Sequence, residues 1–177
     1  MTCIVGLIEN NTVYMGGDSM SSSGWDARTT KLKKVFRIKG FLIGYTSSFR
    51  MGQLLEHQLT ITPQNGDDDM AYMVSTFVDS IRQLFKDNGY TKIDNNREEG
   101  GTFLVGYKGR LYKIGRDFQV NEFQDDFDAC GCGEDYALAA MKALENLSPE
   151  ERILRSLEIA SHFSNGVQGP FYILELA

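Results

Sequence analysis

Thr2 is the first residue of this chain that can do chemistry. Loss of one methionine from Met1-Thr2-Cys3 would put a hydroxyl and a free amine on the same residue, directly ahead of the apolar run Ile4-Val5-Gly6-Leu7-Ile8. Such a threonine can act as a nucleophile with its own α-amino group as general base, because that amine titrates near ~7.7–8.0 whereas a lysine side chain titrates near ~10.4. Threonine is small enough for an aminopeptidase to remove the methionine before it, so the working chain is expected to begin at Thr2. A Met-Thr start carries little weight alone, and the residues after it decide its meaning.

Those residues are Val13-Tyr14-Met15-Gly16-Gly17-Asp18-Ser19, then Lys31-Leu32-Lys33-Lys34-Val35-Phe36-Arg37-Ile38, then Phe41-Leu42-Ile43-Gly44-Tyr45-Thr46-Ser47-Ser48. In this order and at these spacings the chain resembles the proteasome β-subunit family of N-terminal nucleophile hydrolases, above all the HslV-type peptidase. The resemblance resumes at Gly131-Cys132-Gly133-Glu134-Asp135-Tyr136-Ala137, where the family opens an alanine-rich helix, and runs through Leu157-Glu158-Ile159-Ala160. Between roughly Thr60 and Ala129 it is a likeness of element order.

The resemblance implies roles. Thr2 stands at the family's terminal threonine, Asp18 and Lys34 at its acid and lysine, and the backbone N–H of Ser47 at its oxyanion hole. Ser19, Ser21 and Ser22 fall where a peptide substrate would pair by strand addition, and Tyr45 and Phe49 where the residue before the cut would be held. Cys132 replaces a supporting serine near the amine, and a thiol is the weaker hydrogen-bond donor. Aligning Ser164 with a family serine puts Ser161 at the usual aspartate, whereas aligning Leu157–Ala160 puts His162 there; neither is an acid.

The implied reaction is amide hydrolysis through an acyl ester on Thr2, without cofactor or metal. It would run inside a homo-oligomeric ring of six or seven subunits, with stacking of two rings, fed with unfolded protein by a separate ATP-dependent unfoldase. A catalytically silent ring subunit is the alternative, and a small-molecule amidase on the same fold is a third.

Other chemistries fit less well. Cys132 at a helix start invites a cysteine nucleophile, but neither His57 nor His162 pairs with it in sequence, and each reads as a buried or capping histidine. Gly131-Cys132-Gly133 lacks the longer glycine pattern and lysine of a nucleotide loop. Cys3, Cys130 and Cys132 would need a fourth ligand to hold zinc.

Composition agrees with a soluble cytoplasmic protein. The 177 residues are 42% hydrophobic and 24% charged, with a net charge of −6 that argues against nucleic acid, although Arg28, Lys31, Lys33 and Lys34 form a local basic run. Three cysteines, an odd number without framework spacing, fit a reduced compartment. The absence of a long apolar stretch argues against a membrane partner.

Alternation and turn chemistry predict strands at Cys3–Glu9, Thr12–Gly17, Lys34–Ile38, Phe41–Tyr45, Thr102–Tyr107, Arg110–Ile114, Val120–Phe123, Phe127–Cys130 and Pro170–Leu176. A helix starts at Ser47 or Ser48 with Met51, Leu54 and Leu55 on one face. A second carries the stripe Met70, Met73, Val74, Phe77, Val78, Ile81, Leu84 and Phe85, with Asp67, Asp68 and Asp69 at its positive end and Gly89 at its stop. Asn95 to Gly101 reads as a polar loop. Two helices come after Gly133, divided where Ser148, Pro149 and Glu151 predict a capping box. The pattern supports one α+β domain over 1–177; the four-layer α-β-β-α sandwich is what the resemblance implies.

Overall fold

The computed structural model describes residues 1–23, 25–66 and 68–177. The elements run β1 (Cys3–Glu9), β2 (Thr12–Gly17), β3 (Met20–Ser23), β4 (Asp26–Thr29), β5 (Val35–Ile38), β6 (Phe41–Tyr45), α1 (Phe49–His57) and α2 (Asp69–Tyr72). A π-helical turn (Met73–Phe77) leads into α3 (Val78–Asp87), then β7 (Lys92–Asp94), β8 (Arg97–Glu99), β9 (Phe103–Tyr107), β10 (Arg110–Ile114), β11 (Val120–Asn121) and β12 (Phe127–Gly131). The chain closes with α4 (Glu134–Ala143), α5 (Pro149–Phe163) and β13 (Tyr172–Leu176).

Two larger antiparallel sheets form, in the orders β12-β1-β2-β13 and β11-β10-β9-β6-β5, beside the two-stranded pairs β3-β4 and β7-β8. Their tight turns put two successive residues at positive φ, as hairpin twist demands: Asn10 and Asn11, Lys39 and Gly40, Lys108 and Gly109. Ile4, Val13, Met15, Leu42, Leu104, Leu111 and Cys130 pack between the sheets. Helices α1 and α3 cover the outer face of the five-stranded sheet through Phe41, Ile43, Met51, Leu54, Phe77 and Ile81. Helices α4 and α5 cover the four-stranded sheet through Val5, Leu7, Ala137, Met141, Ile153 and Leu157. The layers are therefore α-β-β-α.

The sheets meet closely enough to require a missing side chain at Gly44. A Cβ there would lie 2.5 Å from Ile4 Cγ2 and 2.6 Å from Met15 Sδ. Gly44→Ala is expected to destabilise the fold by about 1–3 kcal/mol, the usual cost of overpacking, seen as a lower urea midpoint at unchanged slope.

Several expectations need correction. The long stripe is buried at Met73, Phe77, Val78, Ile81, Leu84 and Phe85 and fails at Val74, which lies inside the π-helical turn and is 51% exposed, while Tyr72, outside the predicted stripe, is buried. The supposed loop from Asn95 is instead the turn and second strand of a hairpin, β7 paired with β8, turning on Asn95 and Asn96 at φ 48° and 64°. Ser148 occupies the N-cap position of α5, but its hydroxyl makes no capping bond. Strand β11 ends at Asn121, leaving Phe123 outside it and exposed. Asp68 does cap α2, accepting from the Ala71 N–H at 2.9 Å; Asp67 lies outside the described residues. Ser48 caps α1, as the sequence predicts.

Candidate active site

The β1–β2 ladder sets the site. Its last rung pairs Ile4 with Gly17, and one step beyond it the Asp18 N–H donates to the Cys3 carbonyl at 3.3 Å while the Cys3 N–H donates to Asp18 Oδ1 at 3.0 Å. Thr2 and Asp18 are thus held side by side. Gly17 lets the segment carrying the third residue approach: a Cβ there would come within 2.7 Å of Ile4 Cδ1 and 3.0 Å of Cγ2 of Val35, the residue after Lys34.

Lys34 Nζ lies 3.0 Å from each Asp18 oxygen and 2.8 Å from Thr2 Oγ1. Both charged side chains are essentially sealed from solvent, at 1% and 0% exposure. Such a pair is tolerable only when its remaining valences are filled. Here Asp18 also accepts from the Cys3 N–H and, at 2.9 Å, from the Met20 N–H. Burial pushes the Lys34 pKa below the ordinary lysine range, and the Asp18 carboxylate opposes that shift without cancelling it. A buried ammonium within hydrogen-bond reach of a hydroxyl is what stabilises that hydroxyl's developing negative charge.

With Met1 in place the Thr2 nitrogen is an amide. It donates to Cys132 Sγ at 3.3 Å, and the Cys132 N–H donates to the Thr2 carbonyl at 2.8 Å. Gly131, at φ +105°, is required beside this contact, because a Cβ would strike the Thr2 carbonyl. Thr2 Oγ1 donates to the Met1 carbonyl, which also receives Lys34 Nζ at 3.4 Å.

Ser47 comes after β6 with φ +64°, a left-handed conformation uncommon for serine. Its Oγ accepts from the Thr102 N–H at 3.3 Å, and its own N–H has no partner among the described residues. Ser47 borders a cavity of about 170 Å³ shared by Met1, Thr2, Met20, Ser22, Lys34, Tyr45, Thr46, Ser48 and Phe49. A larger cavity, about 610 Å³, lies between the end of α1 and α3 beside Gln58, Thr76, Asp79 and Gln83. It holds no buried ionisable group, so chemistry rather than size locates the site.

The structure thus gathers Thr2, Lys34, Ser47, Ser22, Tyr45 and Phe49 around one cavity, with Asp18 behind Lys34 and Cys132 against the Thr2 backbone. Tyr45 is buried with its ring against Gly52, and burial pushes its phenol up to about 12. Phe49 stands edge-on to it at 6.4 Å between centroids. Ser19 turns elsewhere: its hydroxyl donates to the Pro170 carbonyl, and its N–H and C=O bond Gln168 and Thr30. Ser21 pairs with Arg28 in the β3–β4 hairpin and does not line the cavity. Met20 and Thr46 are cavity walls that the sequence alone does not single out.

Ser164 Oγ reaches Cys132 Sγ at 3.7 Å, whereas Ser161 and His162 lie in the last turn of α5 with no hydrogen bond to the site. His57 and His162 are exposed in the last turns of α1 and α5 and neither bonds Cys132, so they are not buried histidines. Lys33 is also exposed, with its ammonium 5.3 Å from the Tyr172 ring centroid.

No protein-family model matches the chain. Solved structures do. Thiobacillus denitrificans BPH in complex with epoxomicin superposes with a TM-score of 0.81 at 18% identity, covering 99% of this chain and 98% of that one. HslV from Trypanosoma brucei gives 0.70 at 18%, covering 99% of both chains. Anbu, the ancestral β-subunit from Yersinia bercovieri, gives 0.68 at 14%, covering 99% of this chain and 81% of that one. Among the described residues no helix is long and apolar enough to cross a membrane. Likeness of this extent at such low identity is a likeness of backbone, and by it the chain has the four-layer fold of the proteasome-type N-terminal nucleophile hydrolases.

Proposed function

We propose that this chain, one domain over residues 1–177, is a threonine peptidase subunit that hydrolyses peptide bonds once Met1 is removed. The observation that carries the reading is Lys34 Nζ at 2.8 Å from Thr2 Oγ1 inside a buried pair with Asp18. Thr2 Oγ attacks the substrate carbonyl and its proton passes to the α-amine, directly or through water. The Ser47 N–H, without a partner among the described residues, receives the oxyanion in the cavity that Ser47 lines. Water, activated by the same amine, then hydrolyses the ester. Met20 and Ser22 would border the incoming peptide, and Tyr45 and Phe49 would hold its side chain.

The assembly expected with this activity is a cytoplasmic homo-oligomeric ring of six or seven subunits, stacked in pairs and fed by a separate ATPase. Closed heterologous contacts are the geometric requirement. Light scattering of the purified chain should therefore give a mass of at least six subunits at micromolar concentration; a monomer would remove the ring from the proposal.

One observation favours a silent subunit for any molecule that keeps Met1. The Met1 carbonyl accepts from both Thr2 Oγ1 and Lys34 Nζ, so the nucleophile and its lysine are occupied, and the Thr2 nitrogen is an amide that cannot act as base. Intact-mass measurement of active protein separates the readings: a chain beginning at Thr2 is expected, and uniform retention of Met1 would exclude the terminal-amine mechanism. Epoxomicin, present in the BPH complex, is the accompanying probe. A peptide map should place its mass on Thr2.

Lysine identity is tested separately. Lys33→Ala is expected to change turnover less than about threefold, since Lys33 is a solvated side chain whose substitution is ordinarily mild. A loss as large as that of Lys34→Ala would show that the wrong lysine has been assigned.

A further inference from the structure

Cys132 is the exposed thiol of this chain, and it sits against the nitrogen that the proposed mechanism uses as base. The Thr2 N to Cys132 Sγ separation is 3.3 Å. The contact is braced: the Cys132 N–H bonds the Thr2 carbonyl at 2.8 Å, the same sulfur lies 3.3 Å from that carbonyl oxygen, and Ser164 Oγ also reaches it at 3.7 Å. Cys3 and Cys130 are fully buried, and burial raises both thiols far above the range in which they would ionise. A water-borne oxidant therefore meets one thiol, and that thiol has a nitrogen beside it.

We infer that Cys132 is a peroxide-modified site whose oxidised sulfur is captured by the Thr2 nitrogen as a sulfenamide, closing the active site reversibly. The inference rests on the reading of Thr2 as the chain terminus. In the first step the thiol gives two electrons to a peroxide: the thiol and hydrogen peroxide become a sulfenic acid and water. In the second, the amine lone pair forms the N–S bond and the S–O bond breaks. The departing hydroxide takes one amine proton and leaves as water. Two equivalents of an external thiol reverse the link, regenerating the amine and the Cys132 thiol while the reductant becomes a disulfide. While the link stands the nitrogen is a sulfenamide and has lost its role as base. A serine in place of Cys132 could not be oxidised in this way.

The test uses full-length chain with Thr2 exposed by cleavage of an N-terminal fusion, treated with hydrogen peroxide. The expected product is about 2 Da lighter than the reduced chain and is restored by dithiothreitol. Its α-amine should resist an amine-labelling reagent before reduction and accept it afterwards. A Cys3→Ala variant should give the same product, which distinguishes the N–S link from a Cys3–Cys132 disulfide. Cys132→Ser should show neither the mass loss nor the blocked amine.

Thr2→Ala keeps the amine and lacks the hydroxyl, so it should cross-link although it cannot hydrolyse; the failure of this inference is thereby separable from failure of the peptidase reading. A product about 16 Da or more heavier with a fully reactive amine would overturn the inference. So would a mass loss that disappears with Cys3→Ala.

Discussion

Thr2→Ala is expected to abolish peptide hydrolysis, by roughly 10⁴-fold or more, and to abolish epoxomicin addition, while the protein folds as before. The size of the loss comes from removing the attacking atom, which no neighbouring group replaces. The fold survives on the bonds that remain. Lys34 keeps both Asp18 oxygens, Asp18 keeps its two backbone donors, and the Thr2 backbone keeps its bond from Cys132. One buried hydroxyl is lost, worth about 1 kcal/mol. Substrate turnover, intact mass with epoxomicin, and a urea melt check the three statements. Full peptidase activity in Thr2→Ala would end the assignment of Thr2 as nucleophile.

The second large effect is expected at Lys34. Lys34→Ala should lower turnover by about 10²–10³-fold, the span typical of losing one group that stabilises developing negative charge. It should also cost about 3–5 kcal/mol of stability, because it strands the Asp18 carboxylate in a site closed to water. A variant that unfolds would confuse the two effects. The double change Asp18→Asn with Lys34→Met leaves no buried charge and is expected to recover most of the stability but none of the activity. A stable, active double variant would show that the pair is structural.

The same lysine shapes the pH dependence. The rate should rise as the α-amine loses its proton, ordinarily near ~7.7–8.0 and lower beside the Lys34 charge. It should fall again where Lys34 itself deprotonates, at a pH below the ordinary 10.5 because burial depresses that pKa. For stability the sign is that of any depressed pKa. Between the folded and unfolded values the unfolded chain binds more protons, so the lysine's contribution is full above about 10.5 and is lost as pH falls through the folded value. Measured kcat/KM across this range should be bell-shaped; a falling limb at or above the ordinary lysine value would contradict a desolvated Lys34.

Legibility tracks the range of the interactions. Strands β1, β2, β6 and β10 match their predicted bounds, because each is a short alternating or apolar run closed by residues that adopt positive φ, and both signals are local. Periodicity overextends the stripe of α2 and α3 at Val74, because a π-helical turn leaves the residue types unchanged and alters only their phase. The β7–β8 hairpin reads as loop in the sequence, because its strand residues are charged apart from Ile93 and Asn95-Asn96 carries its turn signal.

At the site, sequence by itself determined the inventory. Thr2, Asp18 and Lys34 at their spacings named a nucleophile, an acid and a lysine through resemblance, and the run ending in Ser47 named the turn. Only the tertiary structure decided which of them meet. Lys34 reaches Thr2 across 32 residues and Cys132 reaches it across 130, through packing of two sheets and a missing side chain at Gly17. The same packing turned Ser19 toward Pro170 and opened Met20 and Thr46 to the cavity. The physical reason is that a residue's chemistry is a property of its own side chain, whereas burial, pKa and reach depend on atoms supplied by distant segments, and those are fixed only when the layers close.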